Sequence, residues 1–264
     1  MTEKFQKIKA IVEQELNQEK DSTHDIDHIM RVYNLAMTIA KTENNVDMDI
    51  LQAGVLLHDI GCAKETNDPS GQTDHAVVGA KMAKPILENL GYSESQIKHI
   101  QQCIISHRYR TDNKPESIEA KILHDADKLE TAGAIGIARS FAWIGKHQAK
   151  ICKKVDDINE YAKENLTEGK LNGRIMDKSK HSVHINYETK DKFLLDNLYT
   201  ESSKRIGKER MAYFKGFLDR LDKEVNRELH IIVLSSSHPL RRLKNSPILG
   251  LFFYYGSSLA SYML

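Results

Sequence analysis

Residues 55–61, Val-Leu-Leu-His-Asp-Ile-Gly, set the terms for the rest of the chain. An apolar run carries His58 and Asp59 side by side and stops at Gly61. An imidazole and a carboxylate at the end of a buried segment cost free energy unless other groups satisfy them. A divalent metal ion would do so, because neutral imidazole and ionised carboxylate both ligate such ions. A satisfied buried pair capping a helix is the competing reading, and on this dipeptide alone the two stand about even. The metal reading requires the fold to bring further ligands of the same kind to this point.

The composition is that of a globular chain, with 40% hydrophobic and 28% charged residues among 264. A formal net charge of +1 argues against a strongly basic nucleic-acid binder. The three cysteines, Cys62, Cys103 and Cys152, form no CxxC pair, so a disulfide framework or thiolate zinc site is not expected. The charged N-terminus has no apolar signal segment behind it, and the expected location is the cytoplasm, with no membrane partner.

The apolar spacing is helical along most of the chain. Phe5, Ile8, Ile11, Val12 and Leu16 mark a helix within residues 3–19. Asp21, Ser22 and Thr23 offer caps for a second helix, whose His24, His28 and Arg31 share one face. Asp47 or Asp49 can cap a third, running into His58-Asp59. Residues 62–74 read as a polar loop placed to act as a lid. A helix from His75 follows, with Pro85 set to kink or split it and Gly91 to end it. Ser93 to Gln96 reads as a capping box for a helix reaching His107. An Arg-rich loop over 108–115 precedes a helix from Glu116 to Glu130 containing His124, Asp125, Asp127 and Lys128. Thr131–Gly136 is small enough to pack tightly against a neighbouring helix. Residues 145–190 are polar and weakly periodic, and Phe193 to Val225 mark one or two long helices. With no useful strand pattern before residue 228, the expected architecture is all-α, a helical bundle.

Residues 229–264 differ. A β-like run from Leu229 to Pro239 leads through Arg241, Arg242 and Lys244 into an almost uncharged segment with Leu251 to Tyr255. A spanning helix needs about 20 mostly apolar residues, and Gly256-Ser257-Ser258 interrupts this one. A docked helix, a membrane-surface anchor and an extension foreign to the domain are the three readings. The abrupt change of composition favours the last, giving a domain over residues 1–228 and an atypical tail over 229–264.

His28, His58, Asp59 and a carboxylate from the Asp125/Asp127 pair form a mixed N/O ligand set. Such a set suits Mn, Fe, Co, Zn or Mg, and a helical bundle can hold it in its core. One helical position turns a side chain by about 100°, so periodicity leaves Asp125 and Asp127 as alternatives. His75 and His107 begin or end apolar helices, where a cap or a surface imidazole is common. Arg31, Lys64, Arg108 and Lys128 are cations that would suit a phosphate, set against the ordinary reading of solvated charge. His24 and His124 are not expected to be ligands.

The ordered pattern His28-x-x-Arg31-Val32, Leu-Leu-His58-Asp59-Ile-Gly and Asp125-Ala-Asp127-Lys128-Leu129 resembles the HD superfamily of metal-dependent phosphohydrolases. Further stretches are similar to its bacterial nucleotide pyrophosphohydrolase branch: His75-Ala-Val-Val-Gly-Ala, Ile-Ser-His107-Arg, Glu119 to Lys128, Gly133 to Arg139, and Lys192 to Glu224. The His-His-Glu and Gly-Tyr-Pro signatures of the cyclic-dinucleotide branch are absent from the sequence. The resemblance implies an HD-domain bundle with a metal site in its core, formed by His28, His58, Asp59 and Asp127. It also implies that His75 and His107 line the site as phosphate contacts, proton donors or ligands of a second metal.

The expected activity is metal-dependent phosphohydrolysis. Its substrate would be a phosphorylated small molecule, foremost a (deoxy)nucleoside triphosphate cleaved to monophosphate and pyrophosphate. Asp59, His75 and His107 are the catalytic candidates, Arg31, Lys64, Arg108 and Lys128 the substrate-binding ones, and manganese is the favoured cofactor. The alternatives are a nucleotidase or phosphodiesterase on the same metal site, and a non-catalytic nucleotide sensor. Monomer and homodimer both remain open.

Overall fold

A computed structural model describes residues 2–16, 25–108 and 113–226. The apolar tail read over 229–264 lies outside the described residues, as do Asp21, Ser22, Thr23, His24 and residues 109–112 of the Arg-rich loop. The described chain is helical and contains no strand, only two isolated bridges, Lys150 with Ser182 and Leu166 with Ile175. Its helices are α1 (Glu3–Leu16), α2 (Ile26–Ala40), α3 (Met48–Leu57), α4 (Cys62–Thr66), α5 (His75–Asn89) and α6 (Glu94–Ser106). They continue with α7 (Ile118–Leu129), α8 (Gly133–His147), α9 (Ile158–Asn165), α10 (Val183–Thr189) and α11 (Glu201–Val225).

Apart from Asp49 and Gln52, helix α3 is apolar, and Leu51, Ala53, Gly54, Val55, Leu56 and Leu57 are all buried. Such a helix belongs inside the protein, and α3 packs against α1, α2, α6 and α7. Phe5, Ile8, Val12 and Leu16 seal one side of this core. The α8, α10 and α11 side chains Ile144, Val183, Phe214 and Leu218 form a second apolar cluster.

Caps set most helix starts. Asp25, rather than Asp21, Ser22 or Thr23, caps α2 and accepts from the His28 amide at 2.9 Å. Asp47 caps α3, and Ser93 with Gln96 makes the full capping box at α6. Pro85 neither splits nor ends α5, which runs through it to Asn89. The 62–74 segment is not all loop: Cys62–Thr66 forms the short helix α4. The closing helix begins at Glu201, because Asp191–Phe193 and Leu195–Asn197 are 3-10 turns.

Two close approaches need glycine. A Cβ on Gly61 would stand 2.3 Å from the His75 carbonyl oxygen, so the turn after Asp59 fits against the start of α5 only without a side chain. A Cβ on Gly136 would stand 2.2 Å from the Thr131 carbonyl oxygen, so the small stretch before α8 packs first against its own preceding turn.

Asp125 is fully buried and ties α7 to α11. Its carboxylate accepts from the Tyr199 amide at 3.0 Å, and from the Thr200 amide and hydroxyl at 2.8 Å each. Asp125→Ala leaves those donors without a partner in the interior. The expected loss is about 3 kcal/mol of stability, read from the denaturant midpoint; a loss below about 1 kcal/mol would contradict this role.

Candidate metal centre

Five helices bring one polar group or more to a single point. His28 lies in the first turn of α2, His58 caps the C-terminus of α3, His75 opens α5, His107 caps α6 and Asp127 lies in the last turn of α7. Asp59 stands among them. Its Oδ2 is 3.4 Å from both His28 Nε2 and His58 Nε2, and its Oδ1 is 3.6 Å from His75 Nε2 and 3.5 Å from His107 Nε2. Asp127 Oδ1 is 3.5 Å from His28 Nε2. One ligand atom each from His28, His58 and Asp127 falls within 4.8 Å of the others.

Local structure aims the imidazoles. The His58 Nδ1 proton goes to the Val55 carbonyl at 2.7 Å, and the His107 Nδ1 proton to the Ile104 carbonyl at 2.5 Å. Carbonyls in the last turn of a helix lack an intrahelical partner, so a histidine just beyond the helix supplies one three residues back. His75 Nδ1 is held in the same way by Glu65 Oε2 at 2.5 Å, from α4. In each case a neutral ring then presents a bare Nε2 to the interior.

This arrangement fits a divalent cation. His58 Nε2 is buried and has no hydrogen-bond partner. His75 Nε2 and His107 Nε2 lie 3.2 Å apart, and two lone pairs at that distance repel unless a proton or cation is shared between them. The carboxylates Asp59 and Asp127 supply the negative charge such an ion needs.

The charges respond to one another. Burial alone would push the His28 pKa down, yet hydrogen bonds to Asp127, Asp59 and Glu130 outweigh it and raise it to about 10. Burial holds His107 down to about 4 against the pull of Asp59. Asp59 is held well below the carboxylate range because the facing imidazoles, His58 foremost, outweigh the cost of its burial. Asp127 is likewise held low, with Lys128 and His28 overcoming burial.

The sequence-derived residues divide in space. His28, His58, Asp59, Asp127, His75 and His107 meet. Lys128 reaches Asp127 Oδ2 at 2.7 Å. Arg31 instead donates to Glu130 Oε2 at 2.8 Å, and Arg108 bridges Glu65 at 2.7 Å and Asp74 at 2.9 Å. Lys64 is exposed on α4, where it lines a surface depression with Asn67 and Pro69. Asp125 turns away to α11, and His124 is buried beside it, 3.4 Å from its Oδ1.

Three supporting residues escaped the sequence reading. Glu65 orients His75. Glu130 Oε2 lies 3.5 Å from His28 Nδ1, and Arg139 Nη1 lies 2.5 Å from the same nitrogen. Glu130 follows Asp127 by three residues, a helical spacing that would have placed it near the same face; Arg139 ends the family-like stretch from Gly133 but was given no role there, and no such signal existed for Glu65.

The chain is similar to several known proteins. Residues 25–132 match the family model for the HD domain. YpgQ of Bacillus subtilis is 24% identical over 209 residues, 78% of this chain and 87% of its own length. Its crystal structure in complex with ADP superposes with a TM-score of 0.60 at 22% identity, covering 84% of this chain and 97% of that one. An HD-superfamily hydrolase from Bacillus thuringiensis superposes with a TM-score of 0.60 at 27% identity, covering 85% of this chain and 97% of that one. The 3'-5' exoribonuclease YhaM of Bacillus subtilis is 32% identical over 116 residues, 39% of this chain but only 37% of the exoribonuclease. The domain match, the hydrolase neighbour and the polar groups gathered at Asp59 together identify residues 25–132 as an HD domain, in a chain with the fold and the candidate metal centre of a metal-dependent hydrolase.

Proposed function

We propose that the chain is a nucleoside triphosphate pyrophosphohydrolase, releasing a monophosphate and pyrophosphate. The observation that carries the site assignment is the placement of His28, His58 and Asp127 around Asp59, with His58 Nε2 buried and unpartnered. Its nucleotide substrate is supported by the ADP bound to YpgQ, which shares this fold.

In this reading His28, His58, Asp59 and Asp127 hold a divalent ion, with manganese preferred. Asp59 Oδ1, facing His75 and His107, supports a second ion sharing the Asp59 carboxylate. A bound ion supplies Lewis acidity at a phosphoryl oxygen and a water of lowered pKa. His107, kept neutral by burial, offers a lone pair and is not the acid. His75 is the better placed to pass a proton to or from substrate, since Glu65 Oε2 holds its Nδ1 at 2.5 Å while Nε2 faces the site. Lys128 is the cation placed to meet a phosphate. Arg31 and Arg108 act as braces, holding Glu130 and Glu65 in position. Lys64 would meet only a substrate long enough to extend past α4.

The match to YhaM favours a second reading, hydrolysis of a phosphodiester by the same groups. Turnover of a nucleotide panel by manganese-loaded protein, with pyrophosphate and orthophosphate assayed separately, tests the choice. Pyrophosphate release that disappears on chelation is expected. Orthophosphate alone, or monophosphates from short oligonucleotides alone, would replace the leading reading.

Loss of the central carboxylate should abolish metal binding. Asp59→Ala and Asp59→Asn are expected to retain less than about a tenth of the bound manganese, whereas folded Asp125→Ala retains it; elemental analysis of the purified variants decides. Metal affinity should also depend on pH. A His28 with a pKa raised to about 10 carries a proton at neutral pH, and a metal ion must displace it. Affinity should therefore rise by up to about tenfold per pH unit between pH 6.5 and 8.5, as read by titration calorimetry. A flat profile would show that no proton is displaced from His28 on binding.

A further inference from the structure

Helices α8 and α10, with the chain between α9 and α10, border a cavity of about 210 Å³. Arg139 forms part of its wall and also lies 2.5 Å from His28 Nδ1, so the cavity is one side chain away from the metal centre. Pockets that enclose whole small ligands span about 300–1,000 Å³. This one has room for a ring system whose substituents continue outside.

A directed chain of hydrogen bonds starts behind the cavity and enters its wall at His181, Asn186 and Asp191. Asn165 Nδ2 donates to the Tyr161 hydroxyl at 2.7 Å, which leaves the hydroxyl proton for His181 Nδ1 at 2.8 Å. His181 then carries its proton on Nε2 and donates to Asn186 Oδ1 at 3.3 Å. Burial keeps this imidazole neutral, with a pKa of about 4, as the pattern requires. Asn186 Nδ2 is thereby turned to donate to Asp191 Oδ2 at 2.7 Å. Every proton in the chain points toward Asp191.

The chain ends on an unmet acceptor. Asp191 is only 2% exposed, and its Oδ1 is buried without any hydrogen-bond partner. An unpaired carboxylate oxygen in the interior is costly, and the four residues behind it fix it in place rather than relieve it. Trp143, Ile144, Ile175 and Val183 supply apolar wall around these groups. Arg139 and Lys190 line the same cavity. They disfavour a cationic ligand and suit a neutral ring joined to an anionic group.

We propose that this cavity binds the amino-bearing heterocycle of a nucleotide, whose exocyclic amine donates to Asp191 Oδ1. The choice of a nucleotide rests on the phosphohydrolase reading; the demand for a neutral ring with an edge donor comes from the cavity itself. The base belongs either to the substrate or to a second nucleotide bound beside the metal centre.

Adenosine and inosine test this, because the exocyclic amine of one is a carbonyl oxygen in the other, which would face the Asp191 carboxylate lone pair to lone pair; inosine's own edge donor, N1–H, sits at a different place on the ring. The manganese-loaded full chain is expected to bind adenosine about 10- to 100-fold more tightly than inosine, as for a hydrogen bond to a charged group. Asp191→Asn removes a buried charge at nearly constant shape. Its oxygen is retained by Asn186 and its amide nitrogen faces the cavity as a donor, so the preference should fall to parity or reverse. If the ratio of kcat/KM for ATP and ITP shifts in step, the base is the substrate's own. If binding shifts and that ratio does not, the cavity serves a second nucleotide. Equal binding of adenosine and inosine by the unaltered protein, or a preference that Asp191→Asn leaves untouched, would overturn the proposal and leave water as the partner of Asp191. Adenosine selectivity that follows residue 191 without any nucleotide turnover would instead defeat the phosphohydrolase reading and leave this one standing. Turnover without the selectivity would do the reverse.

Discussion

A carboxylate surrounded by imidazoles in the interior is the constraint on which the structure turns. Asp59 is 4% exposed and cannot rely on water for its charge. Each of its oxygens is instead faced by two imidazole nitrogens at 3.4–3.6 Å, drawn from His28 and His58 on one side and His75 and His107 on the other. Those four residues come from α2, α3, α5 and α6, with Asp127 added by α7. The helices must converge for the charge to be tolerated, and the apolar surface of α3 gives them a reason to do so. Hydrophobic packing supplies the driving force and the polar centre supplies the register.

Pointing the imidazoles inward needs little machinery. His58 and His107 each follow a helix and give the Nδ1 proton to a carbonyl three residues back. The same contact satisfies a helix end and sets the tautomer, so one local interaction does two jobs. His75 and His28 open helices rather than close them and cannot use this device. They depend on groups brought from elsewhere, Glu65 for His75, and Arg139 with Glu130 for His28. Arg108 and Arg31 hold those carboxylates in turn. This layered support explains why cations that resemble phosphate ligands in the sequence are engaged with acids in the fold.

The legibility of the sequence follows the range of the interactions. Apolar spacing and caps are local, so α1, the capping box at Ser93 and the cap at Asp47 can be read directly. The all-helical class follows from the same signals. Asp125 and Asp127 lie on one helix two residues apart, and only the tertiary structure separates them: Asp125 meets the start of α11 and Asp127 meets His28. Periodicity cannot distinguish them, and the family pattern was needed. Glu65 carries no motif of its own, and Arg139, though it ends the family-like stretch from Gly133, lies 111 residues from the His28 it touches. The Asp191 cavity was hidden for a related reason. Its hydrogen-bond chain joins residues 161 to 191 through a stretch whose polar, weakly periodic sequence gives no hint of a buried site.

The most direct measurement is an anomalous difference map from crystals of the full chain grown with manganese. The account predicts a strong peak bounded by His28, His58, Asp59 and Asp127, and it admits a second between Asp59, His75 and His107. The acidic group formed by Glu65, Asp74 and His75 is a competing location for an ion. A peak there alone, or none at the four residues in protein that turns over its substrate, would contradict the account at its centre.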